Sequence, residues 1–77
     1  MSLSINPIAS NMTELTTTLG AVILFSYKTP VAAQDAEGRL FRTEEHYSPT
    51  TTRHINKWLA GREARTVSQH VIDNFVL

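Results

Sequence analysis

Seventy-seven residues leave room for one domain with a thin core, and the absence of cysteine excludes disulfides and cysteine-bearing zinc sites as its reinforcement. Self-association is the remaining route to stability, so a homo-oligomer is expected. Seven Lys plus Arg balance seven Asp plus Glu, which excludes the overall basic charge from which a dedicated nucleic-acid binder draws its affinity.

Residues 1–17 (MSLSINPIASNMTELTT) are polar and interrupted by Pro7. They read as a partly flexible N-terminal arm ahead of a single α+β domain at residues 18–77, with Met12 as an alternative native start. Leu19 to Tyr27 is the clearest strand, rich in β-branched and aromatic residues. Its two alternating sets, Val22/Leu24/Ser26 and Ile23/Phe25/Tyr27, are both largely apolar, which predicts a central strand covered on both faces. Lys28-Thr29-Pro30 interrupts the ladder as a turn, bulge or edge start, because proline lacks an N–H. Val31 to Gln34 continues as a short extended segment. Asp35-Ala36-Glu37-Gly38 reads as a turn with a positive φ at Gly38. Arg39 to Tyr47 returns as a strand whose Phe41/Thr43/Glu45/Tyr47 face is partly apolar and whose other face is mostly charged.

Ser48-Pro49 opens a helix, with serine as N-cap and proline at the first helical position. Ile55, Trp58, Leu59 and the stem of Arg62 fall on one helical face, and Gly61 is expected to end the helix. Thr66-Val67-Ser68-Gln69 matches a capping box ahead of a second apolar stripe, Val71, Ile72, Phe75 and Val76. The expected fold is α+β: a three-stranded antiparallel meander (18–27, 30–35 and 39–47) packed against one helix (49–60), with a short second C-terminal helix (67–75). Ile55, Trp58 and Leu59 are expected to pack against Phe25, Phe41 and one of Ile23 or Tyr27. That arrangement leaves Val22, Leu24 and Leu40 on the other face, to be covered by the closing helix or by another copy of the chain.

The chemistry-bearing residues are sparse. His46, His54 and His70 stand eight and sixteen residues apart on different elements, without the i, i+3 or i, i+4 spacing that puts two ligands on one helix. There is no G-x-S-x-G elbow and no phosphate-binding glycine loop, and Ser48 is committed to a helix cap. The sequence therefore predicts no catalytic residue, no metal site, no cofactor and no enzymatic activity. The longest apolar run, Leu19 to Phe25, is too short to span a bilayer, and the N-terminus lacks signal-peptide character, so a cytoplasmic protein with no membrane partner is expected.

Two functional classes remain. The first is a structural or protein-interaction domain that self-associates. The second is nucleic-acid binding through the outer face of the first helix, where Arg53, Asn56 and Lys57 cluster and Arg62 and Arg65 extend the basic side. Residues 48–77 hold four basic groups against two acidic ones, whereas residues 1–47 hold three against five. Glu44, Glu45 and Glu63 are expected to neutralise these cations as ion pairs, which favours the first class.

The run Ser26-Tyr27-x-Thr29-Pro30-Val31-Ala32, followed by Tyr47-Ser48-x-Thr50-Thr51-x-Arg53-His54-Ile55-Asn56-Lys57-Trp58-Leu59, resembles a family of very small proteins of bacteriophage and marine viral genomes. The resemblance spans residues 18–61 and is most specific in the Thr-Thr-x-Arg-His-Ile-Asn-Lys-Trp segment. It implies a viral origin, hence a host-cell cytoplasm, and brings no catalytic or binding residue with it.

Overall fold

In the computed structural model, which describes residues 4–76, the chain forms β1 (Ser4–Ala9), β2 (Met12–Thr16), β3 (Val22–Ser26), β4 (Thr29–Gln34), β5 (Leu40–Thr43), α1 (Pro49–Leu59), β6 (Arg65–Val67) and α2 (Gln69–Val76). The class is α+β, as expected, but the sheet has six strands in the order β1-β2-β3-β4-β5-β6 rather than three. The first five pair antiparallel, each with its neighbour in sequence. β6 pairs parallel to β5, a geometry that needs a long crossover, and α1 supplies it. None of the helices among the described residues is long and apolar enough to cross a membrane.

Most of the segment expected as an arm is a hairpin. β1 and β2 are joined through Ser10-Asn11, and Met12 on β2 is only 2% exposed within the core. The first three residues of the expected arm lie outside the described residues. These strands escape propensity reasoning because they carry few large apolar groups. Their stability comes from the ladder to β3, where Met12 pairs with Ser26 and Thr16 with Val22. The central strand also begins later than expected. Thr17 to Ala21 forms a turn, closed by the Thr17 N–H donating to the Ala21 carbonyl at 2.8 Å, and Leu19 is left exposed on it.

β3 is central, and Ile23 and Leu24 are both fully buried, one on each face. The register slips between Leu24 and Phe25, where Pro30 stands opposite Phe25, so Val31 is the extra residue of a bulge. Proline at that position sacrifices no ladder donor.

The two helices lie on opposite sides of the sheet. Ile55, Trp58 and Leu59 of α1 pack with Met12, Leu24, Val31 and Ala32, while Ile72 of α2 packs with Ile23 and Ala33, flanked by Phe25, Phe41 and Phe75. The expected contact of Ile55, Trp58 and Leu59 with Phe25, Phe41 and one of Ile23 or Tyr27 is thus corrected: Ile23, Phe25 and Phe41 face α2, while Tyr27 lies beside His54 of α1. Alternation along a strand says which residues share a face, but not which helix will cover it.

α1 starts as its sequence dictates. Ser48 is extended (φ −162°), its Oγ accepts from the Thr51 N–H at 3.1 Å, and Pro49 follows at the first position. The left-handed residue that stops the helix is Ala60 (φ 52°), one position ahead of Gly61. The expected capping box at α2 does not form, because Thr66 is paired into β6. Ser68 receives the first helical bonds instead, and the Gln69 side chain donates to the Pro30 carbonyl at 2.7 Å and to Asp73 at 2.9 Å.

The turn between β4 and β5 is built by Asp35. Its Oδ1 accepts from the Glu37 and Arg39 N–H groups at 3.0 and 2.9 Å, its Oδ2 accepts from Arg39 Nε at 2.7 Å, and Gly38 takes φ 88°. Desolvation alone opposes the charged carboxyl, but the donations from Arg39 and Glu37 outweigh it and lower the pKa. A folded-state pKa below the unfolded value stabilises the turn above the unfolded Asp pKa, and the contribution is lost as pH falls through the folded pKa. Acidification below about pH 4 should therefore loosen this hairpin, read from the Gly38 and Arg39 amide shifts, whereas Asp35→Asn should remove that pH dependence.

Candidate functional site

Three parts of the structure bring chemistry-bearing side chains together or leave them open. The first is the outer side of α1, where Arg53, Asn56 and Lys57 are exposed together, as expected. Asn56 Oδ1 accepts from the Arg42 guanidinium at 3.3 Å, which brings a β5 cation to the same surface. Arg42 was not among the expected residues, since fourteen positions separate it from Asn56 and only the packing of α1 across the sheet brings them together. Arg62 is turned back on the helix. Its Nε and Nη2 donate to the Leu59 and Trp58 carbonyls at 2.8 and 2.9 Å, and the guanidinium lies 5.7 Å from the Trp58 ring centre. It satisfies orphan carbonyls at the negative end of the helix and stacks on the indole, a structural assignment.

Arg65 does not join the group. It lies in register with Phe41 on β6, and Phe41 and Val67 both belong to the layer packed with α2, so its position is on the opposite face of the sheet. The expected neutralisation by Glu44, Glu45 or Glu63 is absent. Among the described residues the side-chain ion pairs are those of Arg39 with Asp35 and Glu37.

The second part is a polar chain beneath the N-terminal half of α1. Ser26 Oγ lies 2.8 Å from His54 Nδ1 and 3.0 Å from Thr51 Oγ1, and Ser48 Oγ donates to Thr51 Oγ1 at 3.2 Å. A serine beside a histidine invites comparison with an activated nucleophile, and sequence spacing does not reveal the pair because 28 positions separate them. A nucleophile, however, must present its Oγ to a substrate carbonyl with oxyanion donors nearby. Ser26 is 2% exposed, sealed between β3 and α1. The geometry makes it a polar pin that fixes the register of α1 on the sheet. Glu14 does similar work further along, its Oε2 accepting from Trp58 Nε1 at 2.6 Å. Elsewhere, His46 Nδ1 lies 3.4 Å from Thr52 Oγ1 and His70 is exposed. Among the described residues no three of His, Asp or Glu are grouped to hold a metal ion.

The third part is a bare stretch of sheet. α2 packs on β4 and β5 and reaches Ile23 of β3, and the face beyond it opens around Thr13 and Leu15 of β2 and the Phe25 end of β3. Ile5, Thr13, Leu15, Phe25 and Tyr27 line an open groove of about 200 Å³ there. Ile5 is 72% and Tyr27 52% exposed, so large apolar groups face solvent in a contiguous patch. Tyr27 opens the two-residue turn between β3 and β4 with φ 57°, a left-handed conformation that favours glycine. Its ring lies 5.8 Å from that of His54. Sequence reasoning places the uncovered apolar face on the Val22/Leu24 side. The structure buries that side under α1 and leaves part of the Phe25/Tyr27 side open.

Searches of curated proteins and of solved structures each return no match. Residues 3–74 match a family of unknown function, DUF8033, and with nearly the whole sequence covered the chain belongs to that family.

Proposed function

We propose that this chain is a small non-enzymatic protein-interaction domain that self-associates, with the open groove beside α2 as its contact surface. The observation that carries this reading is the groove of Ile5, Thr13, Leu15, Phe25 and Tyr27. Mostly apolar side chains from three strands and a turn meet there, rather than standing singly on the surface. The thin core of a 77-residue chain without cysteine supports the same reading, because association buries apolar surface that the monomer leaves wet. The likeness of residues 18–61 to small bacteriophage proteins supports a viral origin and action in the host cytoplasm.

Sedimentation equilibrium on the purified chain tests the proposal. The mean mass should rise above 8.6 kDa as concentration increases through the micromolar range. A strict monomer at high micromolar concentration, with no partner recovered by pull-down, would remove the reading.

A second reading is favoured by one specific observation. Arg53 and Lys57 lie on the outer side of α1 with Asn56, Arg42 of β5 reaches Asn56 from the sheet, and among the described residues none of the three cations has a carboxylate in ion-pair range. Such a stripe fits a phosphate backbone, with Asn56 available to an adenine edge. Binding to duplex DNA should then fall with salt, with a logarithmic slope of about −0.9 per phosphate neutralised. It should be lost in a folded Arg53→Ala/Lys57→Ala variant. Unchanged binding in that variant would dismiss the stripe as the site.

A further inference from the structure

We infer that Tyr27 and His54 form a stacking platform for an unpaired base beside the α1 cations, so that this surface takes single-stranded nucleic acid in preference to duplex. This rests on the nucleic-acid reading of α1 given above and adds the base contact and the state of the strand.

His54 is the first argument. Its Nδ1 lies 2.8 Å from the buried Ser26 Oγ, which lies 3.0 Å from Thr51 Oγ1, and Ser48 Oγ donates to Thr51 Oγ1 in turn. With the Ser48 proton directed at Thr51, the chain runs Ser48, Thr51, Ser26, His54, and Nδ1 accepts at its end. Nε2 then carries the ring proton, on the side away from Ser26. The half-buried imidazole is thus held in one orientation before any ligand arrives.

Tyr27 is the second. Its backbone is fixed in the turn after β3 at φ 57°, and its N–H donates to the Asn11 carbonyl at 2.8 Å, which ties that turn to the one between β1 and β2. Its ring centre stands 5.8 Å from that of His54, with 44° between the planes. That contact fixes the ring yet leaves the residue 52% exposed. Tyrosine and histidine are both side chains on which unpaired bases stack. Trp58 cannot serve, because it is buried beneath α1.

Charge selects the guest. Lys28 follows Tyr27 in the turn, and Lys57 stands one helical turn beyond His54 with Arg53 alongside. All three are exposed, and among the described residues none has a carboxylate in ion-pair range. Cations on both sides of the rings repel a cationic guest, the usual occupant of an aromatic cage. They attract an anion, and a chain of nucleotides combines a flat ring with negative charge at every unit. Asn56, two residues on from His54, faces the opposite flank of α1, and Arg42 reaches it there. Positive charge thus spans a helix width of about 10 Å, which suits a run of phosphates rather than one. A duplex closes its base faces within the stack. Only an unpaired strand offers a base to Tyr27 while its phosphates lie on α1.

Fluorescence anisotropy with a labelled oligothymidylate of about a dozen nucleotides, set against a hairpin duplex of similar charge, tests the assignment. The single strand should bind at least ~10-fold tighter. Tyr27→Gly, which removes the ring and relieves the turn, should lower single-strand affinity at least ~10-fold and leave duplex affinity and the salt slope unchanged. Tyr27→Phe should keep the single-strand affinity, since the ring face is what binds. In the unaltered chain, saturation with the oligothymidylate should shift the Tyr27 ring protons upfield, which keeps the test valid if Tyr27→Gly fails to fold. Equal affinity for the two DNAs, or unchanged single-strand binding in a folded Tyr27→Gly chain, would overturn the platform and leave the α1 stripe standing. Thymidine monophosphate binding as tightly as the oligothymidylate would overturn the single-strand assignment in favour of a mononucleotide site. No binding of either DNA would remove both the platform and the nucleic-acid reading.

Discussion

Trp58→Ala should lose about 3–5 kcal/mol of stability, enough to leave this small domain largely unfolded at room temperature. Trp58 is 8% exposed and belongs to the cluster with Met12, Leu24, Val31, Ala32, Ile55 and Leu59 that joins α1 to the sheet. Truncation opens a cavity in a core too small to close around it. It also strips the Glu14 carboxylate of its indole donor and Arg62 of its stacking surface. Urea unfolding followed by circular dichroism measures the loss. Trp58→Phe should fall in between, since it keeps most of the apolar volume and forfeits the hydrogen bond. A loss below about 1 kcal/mol for Trp58→Ala would mean that the indole contributes little to the core, and would reopen a binding role for it.

The second large effect is expected at Ile72. It is the buried residue of α2 and packs with Ile23 and Ala33, with Phe41 and Phe75 alongside. An eight-residue helix has no stability of its own in water, so its docking depends on that contact. Ile72→Ala should lose about 2–5 kcal/mol. The loss should appear first as opening of α2, with hydrogen exchange at its amides accelerating well before that of α1. Dye binding to newly exposed apolar surface should rise as Ile23 and Phe41 are uncovered. Uniform acceleration across both helices would show instead that the two faces of the sheet unfold as one unit.

These two substitutions probe opposite sides of one sheet, and the sidedness is where sequence reasoning met its limit. The alternating sets of β3 were legible, and so was its burial on both faces. Assignment of Leu24 to α1 and of Ile23 and Phe25 to the α2 side was not legible. It depends on the path of the chain out of β5 and on which face the crossover helix then lies. The β1–β2 hairpin was missed for a related reason: its strands are short and modestly apolar, and what stabilises them is the ladder to β3, dozens of atoms away in the chain but adjacent in space. The candidate surfaces divide in the same way. Arg53, Asn56 and Lys57 share a helix and were grouped by its period, whereas Arg42 joined them and Arg65 left them through strand register.

What the amino-acid sequence determined by itself is local: the Ser48-Pro49 start of α1 and its Ile55/Trp58/Leu59 stripe, the Asp35–Gly38 turn, and the central strand. Each depends on backbone geometry and side-chain chemistry within a few residues. The tertiary structure alone decided the Ser26–His54 and Trp58–Glu14 contacts, the parallel β6 edge, and the half-covered face with Tyr27 at its rim. Those features join residues far apart in the chain. They are settled only when the whole sheet chooses its register and each helix its side, a choice made by the sum of burial over many residues.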